Sequence, residues 1–401
     1  MKIKTSKVYG LGVIGMGRAF TVMLPTFIKD PRIELMAGID KRLEARVQFQ
    51  NDFGGIVSDN MDSILDNPKI EIIYLATPAE LHINQIKKIV SADKHILLEK
   101  PMSLTIKDAL AITKLIAASK SQLIVGHSHS FNLPIQLTHE LINSQKFGPL
   151  RMMSALNYTD FMYRPRRPDE LITKKGGGVV YSQAAHQIDI LRLLGGGTIK
   201  SIRANTGIWD TKRNTEGAYN AILTFNNGVT AIATYSGYAH FDSDEFQDWH
   251  SEFGQPQKNT SHMNARKNLN VNTREINEGA FKASKNYGGI NYSPLLKSNS
   301  SIQQHQHFGS IIASCENGDL RPVPSGVLVY SDEKHYKRVL KAPKIPRVEV
   351  IDELIGTIEN KKDPIHTCSW ALANLEACLG ILESSKKQKE VFLKYQCELG
   401  E

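Results

Sequence analysis

The chain of 401 residues carries a formal charge of +8, and 41% of its residues are apolar and 22% charged. Its length exceeds what a single hydrophobic core usually serves, so we expect two domains. The composition is typical of a globular protein, and no apolar run reaches the roughly 18 residues of a membrane-spanning helix. We therefore expect no membrane partner.

The positive charge does not by itself indicate nucleic acid. Lys and Arg residues are scattered along the chain, and no nucleic-acid-binding motif accompanies them. A basic surface that attracts an anionic small molecule is the interpretation we prefer. The beginning of the chain lacks a signal-peptide apolar region, which indicates a cytoplasmic protein. Reduced thiols are predicted at the four cysteines, which are Cys315, Cys368, Cys378 and Cys397.

The first part of the chain alternates strand and helix patterns. Strands are predicted at 8–14, 33–39, 70–76, 95–98 and 123–126, and helices at 18–29, 43–53, 80–91 and 105–119. Strands that alternate with helices of 10–15 residues predict βαβ units. We therefore expect an α/β fold, with a Rossmann domain that has a doubly wound parallel sheet over residues 1–128.

The pattern changes after residue 130. Longer strands are predicted at 150–158, 199–207, 218–225 and 229–238, and Asn227-Gly228 between two of them is a strong hairpin signal. Residues 251–308 are polar and predict a long excursion. Helical patterning returns over 348–393. Residues 129–401 therefore predict an α+β domain with a large, mostly antiparallel open sheet, which we expect to join copies into a homodimer or homotetramer.

A glycine turn marks the candidate nucleotide site. A literal G-x-G-x-x-G begins at Gly10 but lies inside the first strand, so Gly15-Met16-Gly17, at the strand–helix junction, is the better candidate. There the backbone can approach a pyrophosphate at the helix N-terminus. The third position of the motif is normally small but here is Phe20, which predicts looser helix–strand packing. A tight turn without a ligand is the alternative.

The second strand ends at Asp40, where a carboxylate can bind the ribose hydroxyls of a dinucleotide. An acidic residue there disfavours a 2′-phosphate, so NAD is favoured. The adjoining Lys41 and Arg42 leave NADP open, because either cation could accept a phosphate. The alternative is that Asp40 is an ordinary surface residue.

Two further loops follow strands of the same predicted sheet. Thr77-Pro78 follows the strand at 70–76, and Glu99-Lys100-Pro101 follows the strand at 95–98. Ligands bind at the carboxyl edge of such sheets. An ammonium near a desolvated pocket can hydrogen-bond a substrate hydroxyl, and Glu99 can orient Lys100. A surface ion pair between Glu99 and Lys100 is the alternative.

A glycine run at 176–178 precedes a predicted helix that places Ser182, His186 and Asp189 on one face. A histidine on such a face suits proton transfer beside a hydride-transfer centre. The alternative is a satisfied core histidine. His127-Ser128-His129 and His305-Gln306-His307 resemble metal pairs, but no neighbouring acidic or Cys ligand completes a site, so we expect no metal.

These motifs together resemble the Gfo/Idh/MocA (glucose-fructose oxidoreductase/inositol dehydrogenase-like) family over nearly the whole chain. The resemblance implies that Lys100 and His186 form the catalytic pair. The cofactor contacts it implies are Gly15, Met16, Gly17, Arg18, Ala19, Asp40, Lys41, Arg42, Thr77, Pro78, His82, Glu99 and Lys100. Ser182 stands where the family commonly has Asp, and Ser130 where it commonly has Arg. These departures argue against a sugar or inositol substrate.

Longer strings resemble the phthalate 4,5-cis-dihydrodiol dehydrogenases of that family, among them 163–168, 179–195, 240–245 and 325–330. This resemblance implies oxidation of a dihydrodiol carboxylate to a catechol. The implied substrate contacts are Lys100, His127, Tyr158, Arg164, Arg166, Arg167, Ser182, Gln183 and His186. The three arginines suit a dicarboxylate, although a solvated basic loop would look the same. A sugar or cyclitol dehydrogenase and a non-catalytic dinucleotide-sensing regulator remain the alternatives.

Overall fold

The computed structural model describes residues 7–126, 128–260, 263–272, 277–293 and 303–400. The chain forms two compact units. Unit 1 consists of Met1–His127, Ala280–Asn299 and Ile345–Cys368, and unit 2 of Ser128–Gly279, Ser300–Lys344 and Ser369–Glu401. The first boundary lies within one residue of the predicted one, whereas two segments of the predicted second domain belong to unit 1.

The sheet of unit 1 is parallel throughout and has the strand order β3-β2-β1-β4-β5-β6. Its strands are β1 (Tyr9–Ile14), β2 (Ile33–Ile39), β3 (Ile56–Ser58), β4 (Ile70–Leu75), β5 (His95–Leu98) and β6 (Leu123–Val125). The order reverses between β1 and β4, and ligands bind outside the carboxyl ends of the strands at such a point. The predicted Rossmann sheet is confirmed, with β3 as an additional edge strand.

Eleven α-helices lie in the described part of the chain. They are α1 (Arg18–Lys29), α2 (Leu43–Phe53), α3 (Asp62–Leu65), α4 (His82–Ser91), α5 (Ile106–Ala117), α6 (Leu133–Asn143), α7 (Ala185–Gly195), α8 (Met263–Asn272), α9 (Glu278–Ser284), α10 (Val348–Ile358) and α11 (Cys368–Lys387). Thr105 caps α5, because its hydroxyl accepts a hydrogen bond from the Asp108 backbone N–H at 3.1 Å. No helix in the described ranges could cross a bilayer.

Part of the predicted polar excursion packs into unit 1. Tyr287 is fully buried, its ring meets Phe20 edge-to-face at 5.1 Å, and its hydroxyl donates to Asp52 at 2.6 Å. The expectation of loose packing at Phe20 is therefore wrong, because the large ring has an aromatic partner more than 260 positions away in sequence. The excursion also contains α8 and α9, so it is not without regular structure.

The segment 345–368 returns the chain to unit 1. Arg347 donates to the Val22 carbonyl at 2.7 Å, and the Val125 N–H donates to the His366 carbonyl at 2.9 Å, which extends the edge of the sheet beyond β6. The helical pattern predicted over 348–393 consists of two helices, α10 and α11, followed by a short strand. Residues 359–367 separate the two helices because Pro364 cannot continue a helix.

Unit 2 is built on a nine-stranded sheet of order β14-β13-β12-β11-β7-β10-β9-β8-β15. Only β7 and β10 pair in parallel, so the predicted mostly antiparallel sheet is confirmed. The strands are β7 (Leu150–Tyr158), β8 (Ile199–Gly207), β9 (Ala218–Phe225), β10 (Thr230–Ser236), β11 (Ser310–Cys315), β12 (Gly318–Val323), β13 (Gly326–Ser331), β14 (His335–Val339) and β15 (Val391–Phe392). The Asn227-Gly228 hairpin joins β9 to β10 as predicted.

The two faces of this sheet differ in burial. Helix α7 packs on β7 and β10, and the inward side chains such as Tyr235 are buried. On the opposite face Ile232 pairs in register with Ile222, and both side chains are about half exposed. Other partly exposed large apolar side chains of β7, β11 and β13 are Met152, Ile312 and Tyr330. Unit 2 therefore presents an open sheet face that is more apolar than a solvated sheet face usually is.

Candidate active site

The glycine turn has the geometry of a phosphate-binding turn. Gly15 has φ +93°, and a Cβ there would lie 2.6 Å from the Ala76 carbonyl oxygen, so no other residue fits. A Cβ at Gly17 would meet no atom within 4 Å, which shows open space beside the N-terminus of α1. Arg18 and Ala19 form the first turn of that helix. The open space and the helix N-terminus together fit the pyrophosphate of a dinucleotide.

Asp40 is held beside this turn. One carboxylate oxygen accepts the Met16 N–H at 2.7 Å and the other accepts the Arg42 N–H at 2.8 Å. The Arg42 guanidinium donates to the Met16 carbonyl at 2.7 Å and to the Tyr287 carbonyl at 3.1 Å, whereas Lys41 is exposed. The Asp40 carboxylate is therefore fixed beside the glycine turn, and the Arg42 guanidinium is held by backbone oxygens.

His82 connects the two other loops at this edge. Its ring nitrogens lie 2.9 Å from the Thr77 carbonyl oxygen and 3.0 Å from that of Met102. Burial lowers the pKa of His82, although both carbonyls favour its protonated form. The side chain is 1% exposed and both nitrogens are occupied. His82 therefore holds together the loops that begin at Thr77-Pro78 and follow Lys100. Its predicted contact with a cofactor stays a prediction.

Lys100 stands at the carboxyl end of β5, one residue after an anchored carboxylate. Glu99 accepts a hydrogen bond from the Tyr74 hydroxyl at 2.6 Å, and its N–H donates to the Leu75 carbonyl at 2.9 Å. Burial raises the pKa of Tyr74 well above its usual value, so the phenol remains a donor. The loop continues through the cis Lys100–Pro101 peptide. Glu99 thereby fixes the strand end that carries the lysine.

In unit 2 the helix that carries His186 begins with a π-helical turn, Val180–Ala184, before α7. Gly178 has φ +80°, and a Cβ there would lie 2.0 Å from a carboxylate oxygen of Glu216, which also accepts the Val180 N–H. The Ser182 hydroxyl donates to the Gly178 carbonyl at 2.5 Å. The expected α-helix at Ser182 is therefore wrong, because residues 180–184 form a π-helical turn and α7 begins only at Ala185.

The ring of His186 is surrounded by other rings. His129 meets it edge-to-face with centroids 4.9 Å apart, and Phe308 lies at 5.1 Å. Phe308 in turn stacks on Tyr235 at 6.2 Å, and the Tyr235 hydroxyl donates to Gln183 at 3.2 Å. Because His186 is 7% exposed, its orientation is set by these contacts. Gln183 and His186 thus lie in one aromatic-walled group.

Asp189, one turn beyond His186, anchors α7. Its two carboxylate oxygens accept hydrogen bonds from the Trp370 indole N–H at 2.5 Å and from the hydroxyls of Ser128 and Ser130. Ser130, where the family resemblance implies Arg, thus donates its hydroxyl to Asp189 together with Ser128. Asp189 is buried, and its role is to join three segments of unit 2 around the helix.

The three predicted arginines have different surroundings. Arg164 donates to Asp160 at 3.0 Å and is about half exposed, and Arg167 pairs with Glu170 at 3.6 Å. Arg166 is buried, its guanidinium lies 3.5 Å from the centroid of the Phe161 ring, and its Nε has no hydrogen-bond partner within the described ranges. Burial lowers the pKa of Arg166 to about 10, so it remains a cation at neutral pH. Arg166 alone therefore offers an unused buried donor.

Tyr158 lies apart from His186. It lines a cavity of about 500 Å³ together with Tyr163, Trp209, Ser236, Tyr238, Ala239, His240 and Phe241, and His186 is not in this lining. Tyr158 pairs in register with Ser236, whereas Tyr235 is on the α7 side. The predicted grouping of Tyr158 with His186 is thus not found. His127 lies outside the described residues.

Comparison with known proteins assigns both parts of the chain to one family of oxidoreductases. The family described as "Oxidoreductase family, NAD-binding Rossmann fold" matches residues 9–127, and the GFO/IDH/MocA C-terminal domain matches residues 135–250. The chain therefore belongs to the Gfo/Idh/MocA family and is an NAD(P)-dependent dehydrogenase. In the part that the structure describes, no group of three or more His, Cys, Asp or Glu residues could hold a metal ion.

Two relatives with at least 34% identity match nearly the full chain. The 1-carboxy-3-chloro-3,4-dihydroxycyclohexa-1,5-diene dehydrogenase of Comamonas testosteroni is 40% identical over 380 residues, which cover 94% of this chain and 95% of the relative. A crystal structure of a Bordetella bronchiseptica RB50 protein described as a dehydrogenase has a TM-score of 0.89 and 34% identity, and covers 96% of this chain and all of its own.

A more distant structure shares the fold alone. The WlbA dehydrogenase of Bordetella pertussis, in complex with NADH and UDP-GlcNAcA, has a TM-score of 0.66 at 18% identity over 97% of this chain and 99% of its own. The inositol 2-dehydrogenase of Rhizobium meliloti is 24% identical over 247 residues, which cover 61% of this chain and 73% of the relative. Both are more distant than the Comamonas testosteroni relative.

Proposed function

We propose that this dehydrogenase oxidises a cis-dihydrodiol bearing a ring carboxylate to the corresponding catechol, with NAD as the hydride acceptor. The observation that carries the proposal is the 40% identity, across almost the whole of both chains, with a relative named for a carboxylated dihydroxycyclohexadiene. Relatives named for inositol or deoxysugar substrates are 24% identical over about 60% of this chain. A sugar or cyclitol substrate is therefore the weaker alternative.

The reaction balances without a further reactant. A bound NAD would accept the carbinol C–H as a hydride, and the O–H of the same carbon gives up its proton. The ring ketone that results then tautomerises to the catechol, and the gain of aromaticity drives the oxidation. We assign the hydroxyl to Lys100 and His186. The Lys100 ammonium donates a hydrogen bond to the hydroxyl oxygen, which favours loss of its proton, and the neutral imidazole of His186 takes that proton up.

Asp40 supports NAD over NADP. Its carboxylate is fixed next to the glycine turn by the Met16 and Arg42 N–H groups, so a 2′-phosphate would meet a negative charge at that place. The guanidinium of Arg42 bonds backbone carbonyls and lies 3.3 Å from Asp40, which partly neutralises it. Lys41 is the exposed cation that would have to accept a phosphate if NADP were used.

The open face of the nine-stranded sheet supports a homo-oligomer. Ile222 and Ile232 on the adjacent strands β9 and β10 expose 52% and 45% of their surface, and Ile312 on β11, with β7 between β11 and β10, exposes 42%. Exposed apolar patches of this kind mark protein–protein contacts, and a second copy of the chain can pair the same patch with itself about a two-fold axis. We propose a homodimer or homotetramer joined through this face.

The proposal is tested by measuring NADH formation with a panel of substrates. We expect turnover of a cis-dihydrodiol carboxylate such as phthalate 4,5-dihydrodiol, about tenfold lower kcat/KM with NADP, and rates at least 100-fold lower with inositol or aldoses. Turnover of sugars or cyclitols alone would overturn the substrate assignment. Tight NADH binding without turnover of any of these compounds would favour the dinucleotide-sensing regulator.

Arg166 is proposed to bind the substrate carboxylate. Replacement by Met should raise KM for the carboxylated diol about 10- to 100-fold, because a charge-assisted hydrogen bond contributes roughly 1.5–3 kcal/mol. Arg151→Met is the matched control, since this side chain is 63% exposed and pairs with Glu316. The methyl ester of the substrate should show no further loss with Arg166→Met. An equal loss with acid and ester would show a structural effect only.

A further inference from the structure

We infer that Glu252 and His129 form a positioning pair for His186, and that the pair sets the orientation and basicity of this imidazole in the proposed reaction. The inference rests on the proposed function for its kinetic consequence, but its geometry does not. Glu252 belongs to the polar stretch at 251–308, which from the sequence has no catalytic signature. His129 follows β6 and belongs to unit 2.

Hydrogen bonds fix the tautomer of His129. The Asn132 amide nitrogen donates to the Gln306 carbonyl at 3.0 Å and to His129 Nδ1 at 2.9 Å. The Gln306 oxygen can only accept, so it holds the NH₂ side of the amide in this direction. His129 Nδ1 is therefore an acceptor, and Nε2 carries the proton that is donated to Glu252 at 3.2 Å. His129 is thus a neutral imidazole.

This assignment distinguishes positioning from proton relay. A relay would require His129 to take a proton from His186, but its Nδ1 lone pair is engaged by Asn132 and its Nε2 already bears hydrogen. The two rings also meet edge-to-face, with an interplanar angle of 76°. That contact restricts rotation of the His186 ring and places the polarised His129 ring between it and the Glu252 carboxylate.

The electrostatics of the surroundings leave Glu252 as the relevant anion. Burial raises the pKa of Glu252, but the hydrogen bond donated by His129 and the positive charge of Arg164 lower it, so Glu252 is a carboxylate at neutral pH. Burial raises the pKa of Asp244 to about 8 and lowers that of His307 to about 4, so both are neutral at pH 7. The titratable and charged groups around the pair are Arg164, His186, Tyr235, Asp244 and His307.

A negative charge on the far side of His129 favours the protonated form of His186. When His186 takes up the hydroxyl proton, Glu252 stabilises the developing imidazolium through a fixed, neutral ring. Loss of the charge should therefore weaken His186 as a base, and loss of His129 should free its ring to rotate. Both effects act on the chemical step rather than on the binding of the dinucleotide.

The first test uses Glu252→Gln, which keeps the size of the side chain, with Glu245→Gln as the matched control at an exposed position seven residues earlier. We expect Glu252→Gln to lower kcat about fivefold, to leave KM within about twofold, and to move the ascending limb of the kcat/KM pH profile to lower pH. The double variant with His129→Phe should lose no more than His129→Phe alone. Additive losses, or a change in KM alone, would overturn the positioning role.

The second test needs no turnover. Spectra of ¹⁵N-histidine-labelled protein, assigned with His129→Gln and His186→Gln variants, should show His129 as the Nε2–H tautomer and non-titrating from pH 6 to 9. The titration midpoint of the His186 signals should move to lower pH in Glu252→Gln. A titrating His129, or His186 signals indifferent to Glu252, would refute the pair even if the substrate proposal held. Failure of the substrate proposal would leave these spectra unchanged.

Discussion

Lys100→Met is expected to lower kcat/KM for the diol by about 100- to 10,000-fold, the range typical of a lost general acid–base group. The ammonium stands at the carboxyl end of β5. The neighbouring strand β4 lies between β5 and β1, which leads into the glycine turn. Met keeps the apolar stem of Lys but cannot donate a hydrogen bond to a hydroxyl. Steady-state NADH formation at saturating NAD measures the loss.

The comparison with Lys107→Met separates the effect on the chemical step from the effect of the changed net charge. Lys107 is exposed in the first turn of α5 and follows the same loop, so its removal changes the net charge equally and should leave kcat/KM within about twofold. Binding of NADH, measured by fluorescence, should stay within about threefold in both variants. A loss of less than fivefold with Lys100→Met would remove this residue from the catalytic pair.

The dinucleotide side of the site was largely predictable from the sequence because its signals are local. Period-two and helical patterns placed β1, α1 and β2 correctly, and the carboxyl ends of parallel strands necessarily share one edge. Gly15, Asp40 and Lys100 could therefore be assigned to that edge from position alone. The sequence pattern could not show that both ring nitrogens of His82 hydrogen-bond backbone carbonyls, because this depends on where Met102 lies in space.

The surroundings of His186 were much less predictable. His129, Glu252 and Phe308 come from three segments that are distant in sequence, and each is an ordinary residue in a polar or irregular stretch. The His-x-His pairs were a visible signal in the sequence. Their spacing resembles that of metal-ligand pairs, and it does not indicate that the rings pack against His186. The π-helical turn before α7 has no periodicity of its own, since it depends on Glu216 occupying the space that a side chain at Gly178 would fill.

The packing of Phe20 illustrates the same limit in the core. A large residue at the third position of the turn suggests a defect when only its neighbours in sequence are considered. Tyr287 supplies the missing partner from a segment whose composition resembles a surface loop. Strands β11 to β14 were not predicted. For β14 the reason is that this edge strand is mostly polar and exposed and carries little alternation.

Glu353→Gln is expected to destabilise unit 1 by about 2–3 kcal/mol at pH 7, since removing one partner of a buried charged network leaves the other groups poorly satisfied. Glu353 is 2% exposed and accepts hydrogen bonds from the Ile365 and His366 N–H groups at 2.9 Å and 2.7 Å. Its carboxylate also lies 3.0 Å from the His366 ring Nδ1. This one side chain thus ties α10 to the segment that extends the sheet edge at Val125.

The pH dependence of this stabilisation follows from the direction in which the pKa of Glu353 is shifted. Burial raises the pKa of Glu353, but His366 and the backbone donors outweigh burial and lower it below the usual value. The carboxylate therefore stabilises the folded state above about pH 4.3, the usual pKa of an unfolded Glu, and this contribution is lost as the pH falls through the lower folded value. Urea unfolding of wild type and Glu353→Gln should show a gap that is full at pH 7 and narrows below pH 4.

Asp352→Asn provides the control on the same helix. Asp352 pairs with Arg32 at 2.7 Å but its side chain is 52% exposed, so its loss should cost less than about 1 kcal/mol. A Glu353→Gln variant as stable as Asp352→Asn at pH 7, or a gap that widens on acidification, would show that the Glu353–His366 contact does not stabilise the fold. Because α10 and His366 flank β6, a true loss should also expose the amide of Val125 to hydrogen exchange ahead of the amides of β1.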